Sequence, residues 1–431
     1  MARSSLYPPS VQPGKPILPS CPPGWTTVTF GDVLEVVERP VDLIDDVEYQ
    51  LVTAKRSRGG VVARSRLLGR DVLTKTQFQI ARDDFLMSNR QIIHGGCGIV
   101  PPALDGAVVS NEYSVLRPKS KLLLEFLGYL SHSIYFQQTC FHASVGVDVE
   151  KMIFDCERWL EFKIHLPPLQ EQRRIAEILS SVDEAVAATR AVIEQTRKVK
   201  QGVLERLLTK GIGQADLKES SLGLIPSSWR VTTLSAVVEL SGGAGFPIKY
   251  QGHEGLPFPF IKVSDMNLDG NEKHIRTWNN TIDQSIAYEL RAKPFRAGSV
   301  IFPKVGAALL TNKRRILTQS TFVDNNVMVA SPTAKIDSEF LYYLLCRMDF
   351  AEFVQPGAVP SVNQAQVGAL AIAVPPLDEQ REIVSTLLVL DRSIENQVTS
   401  IIQSSEIKYA LMSDLLTGRK RVTDALPMAA E

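Results

Sequence analysis

Arginine and lysine are the residues here whose type and spacing point to chemistry. The stretch AKRSRGGVVARSRLLGR holds Lys55, Arg56, Arg58, Arg64, Arg66 and Arg70, with no acid before Asp71. The spacings Arg56-x-Arg58 and Arg64-x-Arg66 predict guanidinium groups on one face of a strand pair, with Gly59-Gly60 as the turn. Such a ribbon fits a DNA major groove, where arginine grips guanine O6 and N7 with both arms. A second patch comprises Lys304, Asn312, Lys313, Arg314 and Arg315, near Gly298 and Gly306. Asn312, Gln319, Asn325 and Asn326 carry amides that match the hydrogen-bonding edge of adenine. For a single run of this kind a solvated charged face is the ordinary alternative. Two runs in matching halves of a repeated chain favour binding.

Catalytic patterns are missing. There is no GxxxxGK[ST] phosphate loop, no GxSxG elbow and no HExxH zinc helix. Pro101-Pro102, Pro167-Pro168 and Pro375-Pro376 are followed by Ala or Leu and not preceded by Asn or Asp, so the tetrad of amino-methyltransferases is lacking. His94-Gly-Gly-Cys97 offers two metal ligands without a second pair, which reads as a glycine-rich turn. The Gly-x-Gly at Gly96–Gly98 lacks a third glycine. The expectation is a binder with no catalytic, metal or cofactor residue of its own.

These patches must be positioned by something, and the chain states its scaffold twice. LPPLQEQRRIAEILSSVDEAV from Leu166 aligns without a gap to VPPLDEQREIVSTLLVLDRSI from Val374. The match continues from Asp183 and Asp391 to Leu207-Leu208-Thr209 and Leu415-Leu416-Thr417. Each copy carries apolar residues in alternating steps of four and three. Ile175, Leu179, Val182, Val186 and Ile193 form the first stripe, and Ile383, Leu387, Leu390, Ile394 and Ile401 the second. This is a heptad seam on a helix of ~60 Å. The Pro-Pro pairs suit a helix start, and Gly211 and Gly418 a helix stop. Polar seam positions coincide in both copies: Thr189/Gln397, Thr196/Ser404 and Lys200/Lys408. Polar seam residues fix register. They favour pairing of the two helices over each helix packing only on its own globular part.

The repeated unit is larger than the helix. Pro22-x-x-Trp25 resembles Pro226-x-x-Trp229, and Val33 aligns with Val237. Between these openings and the helices lie short strand-like runs. In the first copy they are Glu48 to Thr53, Gly60 to Ala63, Gln77 to Ile80, Ala107 to Ser110 and Tyr113 to Arg117. In the second they are Phe258 to Val263, Ser299 to Val305, Thr321 to Asn326 and Val327 to Ala330. Helical patches follow at Lys121 to Gln137 and Ser338 to Phe353. The expected organisation is a Pro-rich arm over 1–22, globular parts over 23–166 and 214–374, helices over 167–213 and 375–418, and a flexible tail over 419–431. The fold class is α+β, with two mixed α/β domains and a pseudo-two-fold repeat.

Bulk composition sets few further limits. The 431 residues suit two or three domains, and 47 basic residues balance 47 acidic ones, so only local charge speaks about partners. Five cysteines without a CxxC pair fit buried thiols in a reducing cytoplasm. No long apolar run or signal-peptide pattern is evident, so neither membrane insertion nor export is expected.

Taken together, the motifs resemble the specificity subunit of type I restriction-modification systems over almost the whole chain after residue 22. The carriers are Pro-Pro-Leu-x-Glu-Gln-x-x-Ile at 167–175 and 375–383, the Leu-Leu-Thr endings at 207–211 and 415–418, and the Trp25 and Trp229 openings. Lys210 replaces a glycine before Gly211, and the proline-rich first 23 residues are an addition. The resemblance implies two target-recognition domains, each reading one half of a split double-stranded DNA sequence, separated by an antiparallel coiled coil. It implies two methyltransferase subunits as partners, which bind S-adenosylmethionine and methylate adenine, and motor-nuclease subunits where present. Arg173, Arg174 and Arg381, on exposed helix faces, are the candidate methyltransferase contacts. A DNA-binding scaffold or regulator outside restriction is the alternative, and a degenerate nuclease a third reading.

Overall fold

The structure is a computed structural model that describes residues 16–213, 216–354 and 359–422. Most of the Pro-rich arm, and 423–431 of the tail, lie outside the described residues. The chain divides into two compact units, 1–190 with 399–431, and 191–398. Each unit therefore takes part of both long helices as well as one globular part.

In the first unit, Thr26–Thr29 pairs antiparallel with Lys163–Leu166, in the register Thr26↔Leu166. This strand pair sets the Trp25 opening beside the Pro-Pro step. A five-stranded sheet has the order Pro40–Val41, Gln77–Gln79, Val108–Ser110, Glu48–Ala54, Val61–Leu68. A four-stranded sheet has the order Leu34–Val36, Tyr113–Pro118, Phe85–Ser88, Cys97–Ile99. The helical patch divides into Leu124–Leu130 and Ile134–His142, because Ser133 caps the second helix by accepting from the Phe136 N–H. The core packs Phe30 against Trp159 with ring centroids 4.0 Å apart, and Phe136 edge-on to both.

The second unit repeats the plan. Arg230–Thr233 pairs antiparallel with Ala371–Val374, again joining the Trp opening to the Pro-Pro step. The main sheet runs Val238–Gly242, Val327–Pro332, Val300–Pro303, Arg315–Leu317, His274–Ile275, and a three-stranded sheet runs Thr281–Ile282, Phe258–Ile261, Phe322–Val323. The helix Ser338–Arg347 follows, capped by Asp337.

The long helices are Leu169–Lys210 and Leu377–Leu415, each starting immediately after its Pro-Pro pair. The first stops at Gly211 and the second passes into a turn closed by Gly418, whose N–H donates to the Leu415 carbonyl; their φ values of +67° and +68° suit glycine. Every seam position named above is buried or partly buried. In the first unit Ile175 and Leu179 share a core cluster with Met412, Leu415 and Leu416. In the second, Leu204, Leu207 and Leu208 share one with Ile383, Val384 and Leu387. The start of one helix thus lies with the end of the other, so the pairing is antiparallel. The same clusters hold Phe126 and Phe340 of the globular parts, so the helices also pack on the globular parts that precede them.

The seam lysines find their partners across the pair, whereas Thr189 and Thr196 bond carbonyls of their own helix, Ala185 and Val192, and Gln397 bonds Ser393. Lys408 Nζ lies 2.6 Å and 2.7 Å from the two oxygens of Asp183. Lys200 forms the equivalent ion pair with Asp391. A tyrosine from the short helix joins each carboxylate: Tyr129 Oη donates to Asp183 at 3.0 Å, and Tyr343 Oη to Asp391 at 2.5 Å. The repeated Gln of each Pro-Pro-Leu-x-Glu-Gln start is also used alike. Gln172 accepts from the Leu123 N–H and donates to the Lys121 and Pro167 carbonyls; Gln380 accepts from Asp337 and donates to Lys335 and Pro375. These clasps fix the angle at which each globular part meets the helix that follows it.

Candidate nucleic-acid interface

The first basic patch is built on a hairpin. Glu48–Ala54 pairs with Val61–Leu68, in a register that shifts between Gln50 and Val52. This bulge places an extra residue on the second strand, opposite Leu51. Arg64 and Arg66 lie on that strand and are exposed. Arg66 Nε donates to Gln50 Oε1 at 3.0 Å, and the Gln50 amide nitrogen donates to the Leu51 carbonyl at 2.7 Å, which holds the pair in place. Gln50 carried no pattern of its own in the sequence; its part follows from the cross-strand register.

Arg56 and Arg58 depart from the sequence expectation. The connection covers residues 55–60, so neither is on a strand face. Ser57 and Arg58 have φ of +56° and +59°, and Gly60 of +77°. This left-handed turn is fastened to the next loop, with the Ser57 N–H donating to the His94 carbonyl at 2.7 Å and the Arg58 N–H to Gly95 at 3.0 Å. Arg56 is exposed but engaged, donating to Gln91 at 2.6 Å and pairing with Glu150 at 2.9 Å. Arg58 is half-buried and turned into a cavity. Arg70 pairs with Asp46 at 2.5 Å, and Lys55 is exposed. Lys55, Arg64 and Arg66 are the cations of this patch best placed for an incoming polyanion.

The second patch departs further from the sequence expectation. Arg314 is 1% exposed. Its guanidinium lies 4.2 Å from the Phe350 ring centroid and 5.2 Å from that of Phe302. It donates to the carbonyls of Leu345 and Met348 and to the side chain of Asn312. Burial pulls its pKa down to about 10. Arg314 is therefore a structural cation and cannot meet a duplex. Arg315 is partly buried and donates to the Arg314 and Met266 carbonyls. Lys313 bonds Asn267, Asn312 has a left-handed φ of +53°, and Lys304 is half-buried. The amides fare better. Asn325 and Asn326 are exposed on the turn before Val327–Pro332. With Gln251, Lys262 and Ser264 they line a recess of about 580 Å³. Gly243 sits where a Cβ would strike the Val323 and Asp324 carbonyls, so only glycine permits this close backbone approach beside the recess. Gln251 and Lys262 were not legible in advance, since they are isolated in sequence. Of the remaining positions, Arg173, Arg174 and Arg381 are all exposed, with only local helix pairs from Arg174 to Glu177 and Arg381 to Asp378.

A family model for the type I restriction modification DNA specificity domain matches residues 22–196 and again 226–404. The chain belongs to that family of type I restriction-modification specificity subunits. The MjaVIII specificity subunit of Methanocaldococcus jannaschii is 24% identical over 425 residues, spanning 93% of this chain and 94% of that one. Among solved structures, a chain of a type I R-M system superposes with a TM-score of 0.63 at 19% identity, covering 93% of this chain and all of that one. The type I S subunit from M. genitalium gives 0.51 at 14%, covering 93% and 99%. At these identities the structures speak for the fold. The two matched segments begin at the Trp openings and run into the long helices. The family's repeat is thus the one traced above by the Trp openings, the Pro-Pro steps and the paired Tyr–Asp–Lys contacts. No helix among the described residues is long and apolar enough to cross a membrane, and no group of side chains among them could hold a metal ion.

Proposed function

We propose that this chain is the DNA sequence-recognition subunit of a type I restriction-modification complex, each globular part reading one half of a bipartite target. The observation that carries this reading is the duplication itself. The clasps and helix seam recur residue for residue, whereas the strands and surface side chains between them differ, as expected when one scaffold must present two different readers. Lys55, Arg64 and Arg66, with Gln50, make the reading surface of the first part. Lys262, Lys313, Asn325 and Asn326 make that of the second, with Lys304 at its edge. Arginine and amide side chains distinguish bases in the major groove, and lysines hold the phosphates. The paired helices bridge two adenine-methyltransferase subunits, and Arg173, Arg174 and Arg381 lie on faces free to meet them. S-adenosylmethionine binds those partners; this chain supplies neither cofactor site nor catalytic group. Motor-nuclease subunits join the same assembly where present.

The test is co-expression with the adenine methyltransferase of the same system, followed by mapping of methylated adenine. Methylation at one two-part sequence, dependent on both proteins, supports the proposal. Methylation that is unchanged when this chain is omitted overturns it.

A further inference from the structure

The two Tyr–Asp–Lys clusters differ in one respect. In the second unit a further cation completes the cluster. Lys273 Nζ lies 2.8 Å from Tyr343 Oη, 3.0 Å from Asp391 and 2.7 Å from Glu339, and 4.4 Å from the Tyr343 ring centroid. Its side chain is 10% exposed. Tyr342 adds a second ring at 5.2 Å.

The corresponding residues of the first unit follow from the shared clasp. The Gln172 and Gln380 bonds equate Leu123 with Asp337, and hence Glu125-Phe-Leu-Gly-Tyr129 with Glu339-Phe-Leu-Tyr-Tyr343. Glu125, Tyr129 and Asp183 thus repeat the three oxygen ligands of the Lys273 ammonium. Gly128 stands in place of Tyr342, and among the described residues lining this place the globular part supplies Arg58 but no lysine. In place of the plug there is a cavity of about 790 Å³ whose wall includes Glu125, Gly128, Tyr129, Asp183 and Lys408. Glu125 is exposed, and the Asp183 side chain is 45% exposed where that of Asp391 is 11%. The charge of the wall points the same way. Its carboxylates are Glu125, Glu177, Asp183 and Glu184, against the cations Arg58, Arg173 and Lys408. Four against three leaves the wall one positive charge short. Burial, with Arg58 and Lys408 nearby, depresses the His132 pKa to about 4 despite Asp183, so this wall residue is neutral at pH 7.

We infer that this cavity is a binding site for a primary ammonium group, held by Glu125, Asp183 and Tyr129 as Lys273 is held in the second unit. Lys408 shifts to a single oxygen of Asp183, as Lys200 shares Asp391 with Lys273. The group comes either from a lysine side chain of a protein partner or from a free aliphatic amine.

The experiment uses the full chain and Nα-acetyl-lysine N-methylamide as probe, with its Nε-acetyl analogue as control, by titration calorimetry. The expected result is one saturable site for the amine and none for the analogue. Glu125→Gln, at an exposed position, should weaken binding roughly tenfold or more, the scale of a lost charge-assisted hydrogen bond. Lys273→Ala should create a second equivalent site; if that variant fails to fold, the wild-type and Glu125→Gln titrations still decide the matter. A repeat with 1,4-diaminobutane in the methyltransferase-bound complex separates the sources. Loss of binding on assembly assigns the ammonium to a partner lysine, and retention assigns it to a free amine. No binding to the wild-type chain, or equal binding to Glu125→Gln, overturns the proposal.

Discussion

Replacing Asp391 with alanine should damage its unit much more than replacing Asp183 damages the other. The two aspartates occupy the same place in the repeat but differ in surroundings. Asp391 is 11% exposed at its side chain, pairs with Lys200 and Lys273 and accepts from Tyr343. Burial alone would raise its pKa, yet the bonds from Lys200 and Tyr343 and the charge of Lys273 hold it below the usual carboxylate value. Removing it strands two largely buried ammonium groups. Breaking such a buried pair costs about 3–5 kcal/mol, and because Lys273 keeps Glu339 at 2.7 Å the lower end applies. Asp183 is half-exposed and answers only Lys408 and Tyr129, so its loss should cost about 1 kcal/mol. The difference of about 2 kcal/mol corresponds to a roughly 30-fold difference in local opening. Hydrogen exchange is the suitable assay, because a chain with two units has no single unfolding free energy. Exchange in Ser338–Arg347 should accelerate in Asp391→Ala far more than exchange in Leu124–Leu130 does in Asp183→Ala. Equal accelerations would refute the view that burial of the second cluster sets its strength.

Further expectations follow from the same contacts. Leu179→Asp and Leu387→Asp each force a carboxylate into a fully buried cluster, at a cost of several kcal/mol; each should melt its own unit and leave the other protected from exchange. The pKa of His132 is depressed from 6.5 to about 4 by burial and by Arg58 and Lys408, with Asp183 opposing. The unfolded chain therefore takes up this proton first, so stability of the first unit is full above pH 6.5 and is lost as the pH falls toward 4. The loss amounts to about 3 kcal/mol, and His132→Asn should remove that part of the thermal-melting pH profile. Arg314→Met should lower the melting temperature while leaving site choice intact, whereas Lys313→Ala should weaken DNA binding by the assembled complex without destabilising the chain.

Much of the fold was legible because a repeat announces itself through residues that can do only one job. The Pro-Pro starts, the seam apolar residues and the terminal glycines marked both helices. The matching Lys200/Lys408 and Asp183/Asp391 turned out to be partners across the helix pair. The Tyr129 and Tyr343 partners were harder to see, since their short helices sit at a different offset in the two copies from that of the long helices. The proposed binding surfaces were least legible. Arg314 and Arg315 are adjacent in sequence, but burial depends on which side of a strand start faces the Phe302 and Phe350 rings, and basic composition carries no such information. Arg58 likewise reads as a surface cation until the left-handed turn tying Ser57 and Arg58 to His94 and Gly95 directs its side chain inward.

The most direct measurement of the central claim is adenine-methylation mapping of cells that express the methyltransferase with either the wild-type chain or its Arg64→Ala, Arg66→Ala variant. A lost arginine–guanine contact costs about 1–3 kcal/mol of discrimination. The account predicts that the variant relaxes the sequence required in one half of the target and keeps the other half and the spacing unchanged. Simultaneous relaxation of both halves, or an unaltered target, would contradict independent reading by the two globular parts.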